Sequence, residues 1–137
     1  MKNIYYIEKK INKENELRKR AWISIEEPST EDKNFLLDEL KIPAAFYNDI
    51  EDIDERPRIE VEDDWTFVLL RIPYKTTNEK SPFITIPLGI VYNDDYFVTI
   101  TFYKTDLLQD FVNYYSTRKS IVETDNLNLI LRFHLSA

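Results

Sequence analysis

Acidic side chains are concentrated in one stretch of the chain, which makes this stretch the main candidate for binding a cation. Residues 29–64 carry 13 acidic and 4 basic side chains, a local net charge of −9, whereas the rest of the chain is +2. Carboxylates, together with water and carbonyl oxygens, are the ligands that a hard cation such as Mg²⁺ prefers. Asp49 and Asp52 lie three residues apart and would share a helix face. The stretch allows a weak divalent-cation site, although a charged helix face is also typical of an ordinary solvated surface.

The composition argues against most other kinds of site. The chain has no cysteine, which excludes disulfides, thiolate zinc sites and cysteine nucleophiles. Its single histidine, His134, cannot build a two-histidine metal site, and on an apolar helix it is typical of packing. Its single glycine, Gly89, cannot form a glycine-rich phosphate loop. The net charge of −7 opposes a polyanion, so we expect no nucleic-acid partner.

The elements that would position the acidic stretch alternate between strands and helices. With 137 residues, 43% of them hydrophobic, we expect a single domain over residues 1–137. Strands are predicted from β-prone and alternating segments, and helices from capping residues and apolar stripes. The strands are expected at 3–8, 22–26, 58–62, 65–72, 84–92 and 96–103, with a polar connection at 9–20. Helices are expected after a cap at Ser29 or Thr30, near Pro43, after a cap at Thr105 or Asp106, and over about 124–137.

This order predicts an α/β fold with a mixed parallel and antiparallel sheet flanked by helices on both faces. We expect Trp22 and Trp65 to be core or half-buried strand residues and not a binding platform. The predicted helix over 124–137 is apolar on several sides and reaches Ala137 with no capping signal. We therefore expect this helix to continue in a longer parent protein. No apolar run in the chain approaches the ~20 residues that cross a bilayer, so we expect a soluble fragment.

Four short segments carry a further indication. They are Trp22-Ile23-Ser24-Ile25, Phe46-Tyr47-Asn48-Asp49-Ile50, Arg56-Pro57-Arg58-Ile59-Glu60 and Pro87-Leu88-Gly89-Ile90-Val91. In their order and spacing, over about residues 20–120, they resemble the cytosolic domain of the CorA-type magnesium channel family. In that family a short helix ends in Glu-Asp-Ile and is followed by Gln-Arg-Pro-Lys and a strand.

The resemblance implies that the chain is the cytosolic domain of a pentamer of identical subunits. The parent would lie in the cell membrane, with this domain in the cytoplasm, and would continue into a stalk helix and two transmembrane helices. The transported ion would be Mg²⁺, or Co²⁺, and Mg²⁺ bound between neighbouring subunits would favour the closed channel. The matching metal ligand is Asp49, and its partner aspartate would lie on the neighbouring stalk. Asn48 replaces the family's glutamate, which removes a charge from a second site.

The resemblance gives no catalytic and no cofactor-binding residue, so we expect a protein that is not an enzyme. Arg56 and Pro57 match the family's Arg-Pro pair, and we predict that Pro57 ends the helical segment while Arg56 pairs with a nearby carboxylate.

Three alternatives stay open. A metal-dependent nuclease would use the acidic residues near the predicted turn, which are Glu60, Glu62, Asp63 and Asp64. However, aspartate is common in turns. A stand-alone regulatory or protein-binding module could share the fold without a pore. A relative that transports zinc is the third alternative, since the sequence of this domain does not identify the transported ion.

Overall fold

One mixed sheet forms the centre of the fold. A computed structural model describes residues 1–8, 10–77, 80 and 82–117. The strands are β1 (Lys2–Glu8), β2 (Lys10–Glu14), β3 (Ala21–Glu26), β4 (Arg58–Glu62), β5 (Trp65–Lys75), β6 (Phe83–Tyr92) and β7 (Tyr96–Thr101). They form a seven-stranded sheet in the order β2-β1-β3-β7-β6-β5-β4. Only β3 and β7 pair in parallel, with Ile23 opposite Val98. The other neighbours are antiparallel, which confirms the predicted mixed sheet.

The described residues form three α-helical segments, and the first and the last of them begin at predicted capping residues. The segments are α1 (Thr30–Asn34), which continues as a π-helical turn (Phe35–Glu39), α2 (Ala44–Glu51) and α3 (Asp106–Thr117). The Ser29 hydroxyl accepts a hydrogen bond from the Asp32 N–H at 3.1 Å, and the Thr105 hydroxyl accepts one from the Leu107 N–H at 3.2 Å. Each bond satisfies a backbone donor that a helix start leaves free.

Short polar residues make the two tight turns between antiparallel strands. Asp63 and Asp64 join β4 to β5 with φ values of 51° and 68°. These left-handed conformations match the twist of a two-residue hairpin, and aspartate tolerates them. Asn93 opens the turn between β6 and β7, because its side-chain oxygen accepts the N–H groups of Asp95 at 2.9 Å and Tyr96 at 2.8 Å.

Helices lie on both faces of the sheet, as predicted. The face covered by α1, the π-helical turn and α2 buries Phe35, Leu36, Phe46, Tyr47 and Ile50 against Ile23, Phe67, Leu69 and Val98. The face covered by α3 buries Leu108 and Phe111 with Trp22, Ile86, Leu88 and Ile90. Burial of Trp22 and Trp65 is also confirmed. The Trp22 indole donates to the Thr99 hydroxyl at 3.0 Å, so its polar N–H is satisfied inside the core.

The prediction that residues 9–20 form a polar connection without a strand is wrong. Strand β2 occupies part of it and pairs with β1, which raises the number of strands from the predicted six to seven. Ile11 is its buried apolar residue, while Lys13 and Glu14 are exposed. A strand with so many charged residues is typical of the edge of a sheet. With only one buried apolar residue, it lacks the alternating pattern from which a strand is predicted.

Two predictions fall outside the described residues, namely the helix over 124–137 and the packing role of His134. Among the helices that are described, none is long and apolar enough to span a membrane.

Candidate functional site

Helix α2 presents Asp49 at the edge of the domain. Phe46, Tyr47 and Ile50 of this helix are buried against the sheet. Asp49 lies between these buried positions and the solvent, with its side chain 30% exposed. The Asp49 carboxylate is thus held by a packed helix and is still accessible to water.

The close approach of α2 to the sheet depends on the only glycine in the chain. A Cβ atom at Gly89, in β6, would lie 2.2 Å from Cδ1 and 2.5 Å from Cγ1 of Ile50. These distances are far below van der Waals contact, so a larger residue would force the Ile50 side chain or α2 to move. Gly89 therefore leaves the space that the Ile50 side chain of α2 fills against β6.

Arg71 anchors the connection that leads from α2 to β4, residues 52–57. Its guanidinium donates to the carbonyl oxygens of Ile53 at 2.7 Å and Glu55 at 3.0 Å. It also donates to the hydroxyl of Thr85 at 2.8 Å and to the Thr85 carbonyl at 2.8 Å. One side chain of β5 thus ties the connection to β6.

Arg58, the first residue of β4, binds three carboxylates at once. Its Nη2 contacts Oδ2 of Asp49, which lies nine positions earlier in the chain. Its Nη1 lies 2.6 Å from Oε1 of Glu55, and its Nε lies 2.8 Å from Oε1 of Glu60. We call Asp49, Glu55, Arg58 and Glu60 the Arg58 cluster. Three negative charges around one guanidinium leave this cluster with a formal charge of −2.

The Arg58 guanidinium stays charged in this environment. Burial alone would lower the pKa of Arg58, but its hydrogen bonds to Glu60 and Asp49 outweigh that effect and raise the pKa above the ordinary value. The guanidinium carbon also lies 5.6 Å from the centre of the Phe67 ring, which stacks on Phe46 of α2 at 4.5 Å. Arg58 therefore links α2 and β4 through packing as well as charge.

The chemistry of Asp49 fits one ligand of a hydrated divalent cation. Oδ2 is paired with Arg58, whereas Oδ1 makes no hydrogen bond to any described residue. Mg²⁺ keeps several waters and needs only one or two protein carboxylates. Within residues 1–8, 10–77, 80 and 82–117, no group of three or more His, Cys, Asp or Glu side chains could hold a metal ion. Asp49 can supply one ligand, and the remaining ligands must come from water or elsewhere.

Two other residues that the sequence analysis named, Asp52 and Arg56, lie outside the Arg58 cluster. Asp52 follows α2 as its C-cap, and its side chain accepts from the Asp54 N–H at 2.9 Å. The prediction that Arg56 pairs with a carboxylate is wrong, because Arg58 makes these pairs. The chain turns into β4 at Arg58, which aims that side chain at α2.

The sequence reading missed two arginines, Arg58 and Arg71. Arg58 was read only as part of a motif, and its partner Asp49 lies nine residues away on another element. Arg71 had a visible signal, since it is the only charged residue between Trp65 and Tyr74 in an otherwise apolar strand. A charge within such a strand requires polar partners, which here are backbone carbonyls and Thr85.

Comparison with known proteins identifies the family of the chain. The sequence model of the family described as "CorA-like Mg2+ transporter protein" matches residues 19–133. No curated protein gives a significant match to the chain.

Solved structures share the fold. The complete CorA magnesium transporter from Methanocaldococcus jannaschii is 21% identical, with a TM-score of 0.76, over 98% of this chain and 43% of that one. The soluble domain of CorA from the same organism is 20% identical, with a TM-score of 0.78, over 98% and 54%. The ZntB cytoplasmic domain from Vibrio parahaemolyticus is 13% identical, with a TM-score of 0.73, over 98% and 56%. The chain thus spans about half the length of these proteins.

The structural likeness shows a common fold, and the family match covers most of the chain. The chain therefore belongs to the CorA-like Mg²⁺ transporter family, a family of transporters and not of enzymes.

Proposed function

We propose that the chain is the regulatory domain of a CorA-like divalent-cation channel and that Asp49 supplies a ligand to a regulatory Mg²⁺ ion. The observation that carries this proposal is the Asp49 carboxylate of a CorA-family domain, since the Asp49 side chain is 30% exposed and has one oxygen outside any hydrogen bond to the described residues. The packed helix α2 fixes the position of this oxygen. The proposal extends to Co²⁺, which also binds oxygen ligands.

The bound ion lies between neighbouring identical subunits in this proposal. One carboxylate holds a hydrated Mg²⁺ only weakly, so a second ligand from the next subunit's stalk helix completes the site. The parent protein is then a pentamer in the cell membrane, with its own stalk and transmembrane helices and with this domain in the cytoplasm. The chain covers 43% of a complete CorA transporter of this fold, which leaves ample length for those segments.

Ion binding favours the closed channel through differential affinity. Carboxylates from two subunits repel each other when no ion is bound, and a hydrated divalent ion between them offsets this repulsion. The ion therefore binds the closed arrangement more tightly than the open one, and bound ion shifts the population toward closure. A weak site suits this role, because the ion must leave when its concentration falls.

Flux in reconstituted vesicles tests the proposal. The full-length protein that contains this chain is placed in liposomes, and ion uptake is followed while Mg²⁺ on the domain's side is varied. Asp49→Asn should require a higher Mg²⁺ concentration for closure. Asp52→Asn is the matched control, since it removes the same charge three residues away. An unchanged response in Asp49→Asn would contradict the proposal.

The identity of the ion is tested in the same vesicles. Mg²⁺ is the first choice because the family is described as one of Mg²⁺ transporters. The fold is also shared with a ZntB cytoplasmic domain, so uptake of Zn²⁺ and Co²⁺ is compared with uptake of Mg²⁺. Faster uptake of Mg²⁺ than of Zn²⁺ supports the proposal, and the reverse order favours the zinc-transporting alternative.

A further inference from the structure

We propose that Arg58 is a built-in competitor of the divalent cation at Asp49. This inference rests on the proposed function, because it treats Asp49 as a metal ligand. In the absence of metal, Nη2 of Arg58 contacts Oδ2 of Asp49 and supplies the positive charge that the carboxylate needs. A cation arriving at Asp49 must share or displace this guanidinium. Arg58 thereby weakens the site and sets the ion concentration to which it responds.

The exposure of the pair allows such an exchange. The Arg58 side chain is 26% exposed and that of Asp49 is 30% exposed. Ion pairs that water can reach are weak, so little free energy is needed to separate Arg58 from Asp49. A hydrated ion can also reach Oδ1 of Asp49 before the contact at Oδ2 is broken.

Arg58 loses little when Asp49 is released. Its Nη1 keeps Glu55 at 2.6 Å, and its Nε keeps Glu60 at 2.8 Å. Breaking an ion pair costs the most free energy when it leaves a charge without a partner. Glu55 and Glu60 still pair with Arg58, so this cost does not arise. Arg58 therefore keeps two carboxylate partners when Asp49 binds a cation instead.

The competition has a measurable size. A divalent ion and a guanidinium on one carboxylate repel each other, and in a water-like dielectric at about 6 Å this repulsion corresponds to about a tenfold change in affinity. Arg58→Gln removes the repulsion and also makes the cluster more negative. We therefore expect Arg58→Gln to bind Mg²⁺ about tenfold more tightly.

The experiment measures Mg²⁺ binding to the full-length protein through the rise of its unfolding temperature as MgCl₂ is added. Wild type is compared with Arg58→Gln, Asp49→Asn and the double variant. Arg18→Gln is the matched control, because it removes a guanidinium from an exposed pair with Glu14 far along the sheet. Arg58→Gln should shift the response to about tenfold lower Mg²⁺. Arg18→Gln should match wild type, and the double variant should match Asp49→Asn.

Different results separate this inference from the proposed function. If Asp49→Asn weakens the Mg²⁺ response and Arg58→Gln leaves it unchanged or weakens it, the competition is contradicted and the metal role of Asp49 remains. If Asp49→Asn has no effect on the response, both proposals fail. If Arg58→Gln does not fold, Arg58→Lys replaces it. A lysine keeps the charge but cannot span three carboxylates, so its midpoint should lie between those expected for wild type and for Arg58→Gln.

Discussion

Asp32 and Asp49 lie on successive helices over the same face of the sheet, and each is paired with one cation. Asp32 is 12% exposed, and its Oδ2 accepts from the Ser29 N–H at 3.1 Å and from the Met1 ammonium at 3.0 Å. Asp49 is 30% exposed and has Arg58 as its partner. The first carboxylate is held by the backbone of its own helix start, whereas the second depends on a side chain from another strand.

The positions of the two residues along their helices explain this difference. Asp32 lies in the first turn of α1, where free N–H groups and the helix dipole favour a negative charge. Asp49 lies near the end of α2, which has no basic residue in its last turn. A carboxylate there is disfavoured by the dipole and needs a cation from outside the helix. The comparison indicates that Asp32 is structural, and it agrees with the proposal that Asp49 can exchange its cation.

The largest expected effect comes from moving the helix that carries Asp49. Gly89→Ala places a methyl group against Ile50, and we expect it to lower the free energy of unfolding by about 1–3 kcal/mol. Urea unfolding measures this loss. Ile50→Ala alone should also destabilise, but the double variant should lose less than the sum of the two because the methyl group fills part of the cavity. Additive losses would contradict the contact.

Removing each carboxylate in turn tests the comparison itself. Asp32→Ala removes both the capping bond and the ammonium pair, and it should cost about 1–2 kcal/mol of stability. Asp49→Ala removes a partly exposed pair and should cost less than about 1 kcal/mol. Urea unfolding at neutral pH and without divalent ions gives both values. An equal or larger loss for Asp49→Ala would mean that Asp49 is structural too.

The dependence of the free energy of unfolding on acidic pH tests whether Asp32 stabilises the fold. Burial would raise the pKa of Asp32, but hydrogen bonds from Ser29 and the N-terminal ammonium outweigh it and hold the pKa below its ordinary value. A lowered pKa stabilises the fold above the unfolded-state pKa of about 4, and this contribution is lost as the pH falls through the folded-state pKa. The stability difference between wild type and Asp32→Asn should therefore shrink in acid. A difference independent of pH would exclude this linkage.

Glu26, a second carboxylate near the N-terminal ammonium, should show a pH dependence of stability opposite to that of Asp32, and the smallest effect. Burial, assisted by the charge of Glu27, raises the pKa of Glu26 despite a hydrogen bond from the Thr105 backbone and the positive charges of Lys104 and the N-terminus. A raised pKa stabilises the fold below the unfolded-state pKa, and that contribution is lost as the pH rises through the folded-state value. Glu26→Gln should thus be slightly more stable than wild type at neutral pH, as thermal unfolding would show. Lower stability of the variant would contradict this sign.

Local signals in the sequence predicted much of the fold. The hairpin turns at Asp63 and Asn93, the caps at Ser29 and Thr105, and the alternation along β6 all depend on residues close together in the chain. Strand β2 was missed because its stability comes from pairing with β1 and from one buried residue, Ile11. The local residue pattern does not show which strand will pair with such a segment, and this pairing is what makes the segment extended.

The candidate site was only partly predictable for the same physical reason. The family resemblance identified Asp49, but no local pattern revealed that β4 aims Arg58 at it. Arg56 and Arg58 have the same side chain two positions apart, and the direction in which the chain enters the sheet decides which one reaches α2. That direction is set by Arg71, which binds the carbonyls of Ile53 and Glu55 from a strand that comes later in the sequence.

A direct view of the ion at Asp49 is the most decisive measurement. Crystals of the full-length protein grown with Co²⁺ would locate the ion by its anomalous scattering, in wild type and in Asp49→Asn. The account predicts a peak between neighbouring subunits in wild type, bound to the Asp49 carboxylate directly or through one water, and no such peak in the variant. A peak at the same position in both proteins, or an Asp49 still paired with Arg58 with the ion bound elsewhere, would contradict it.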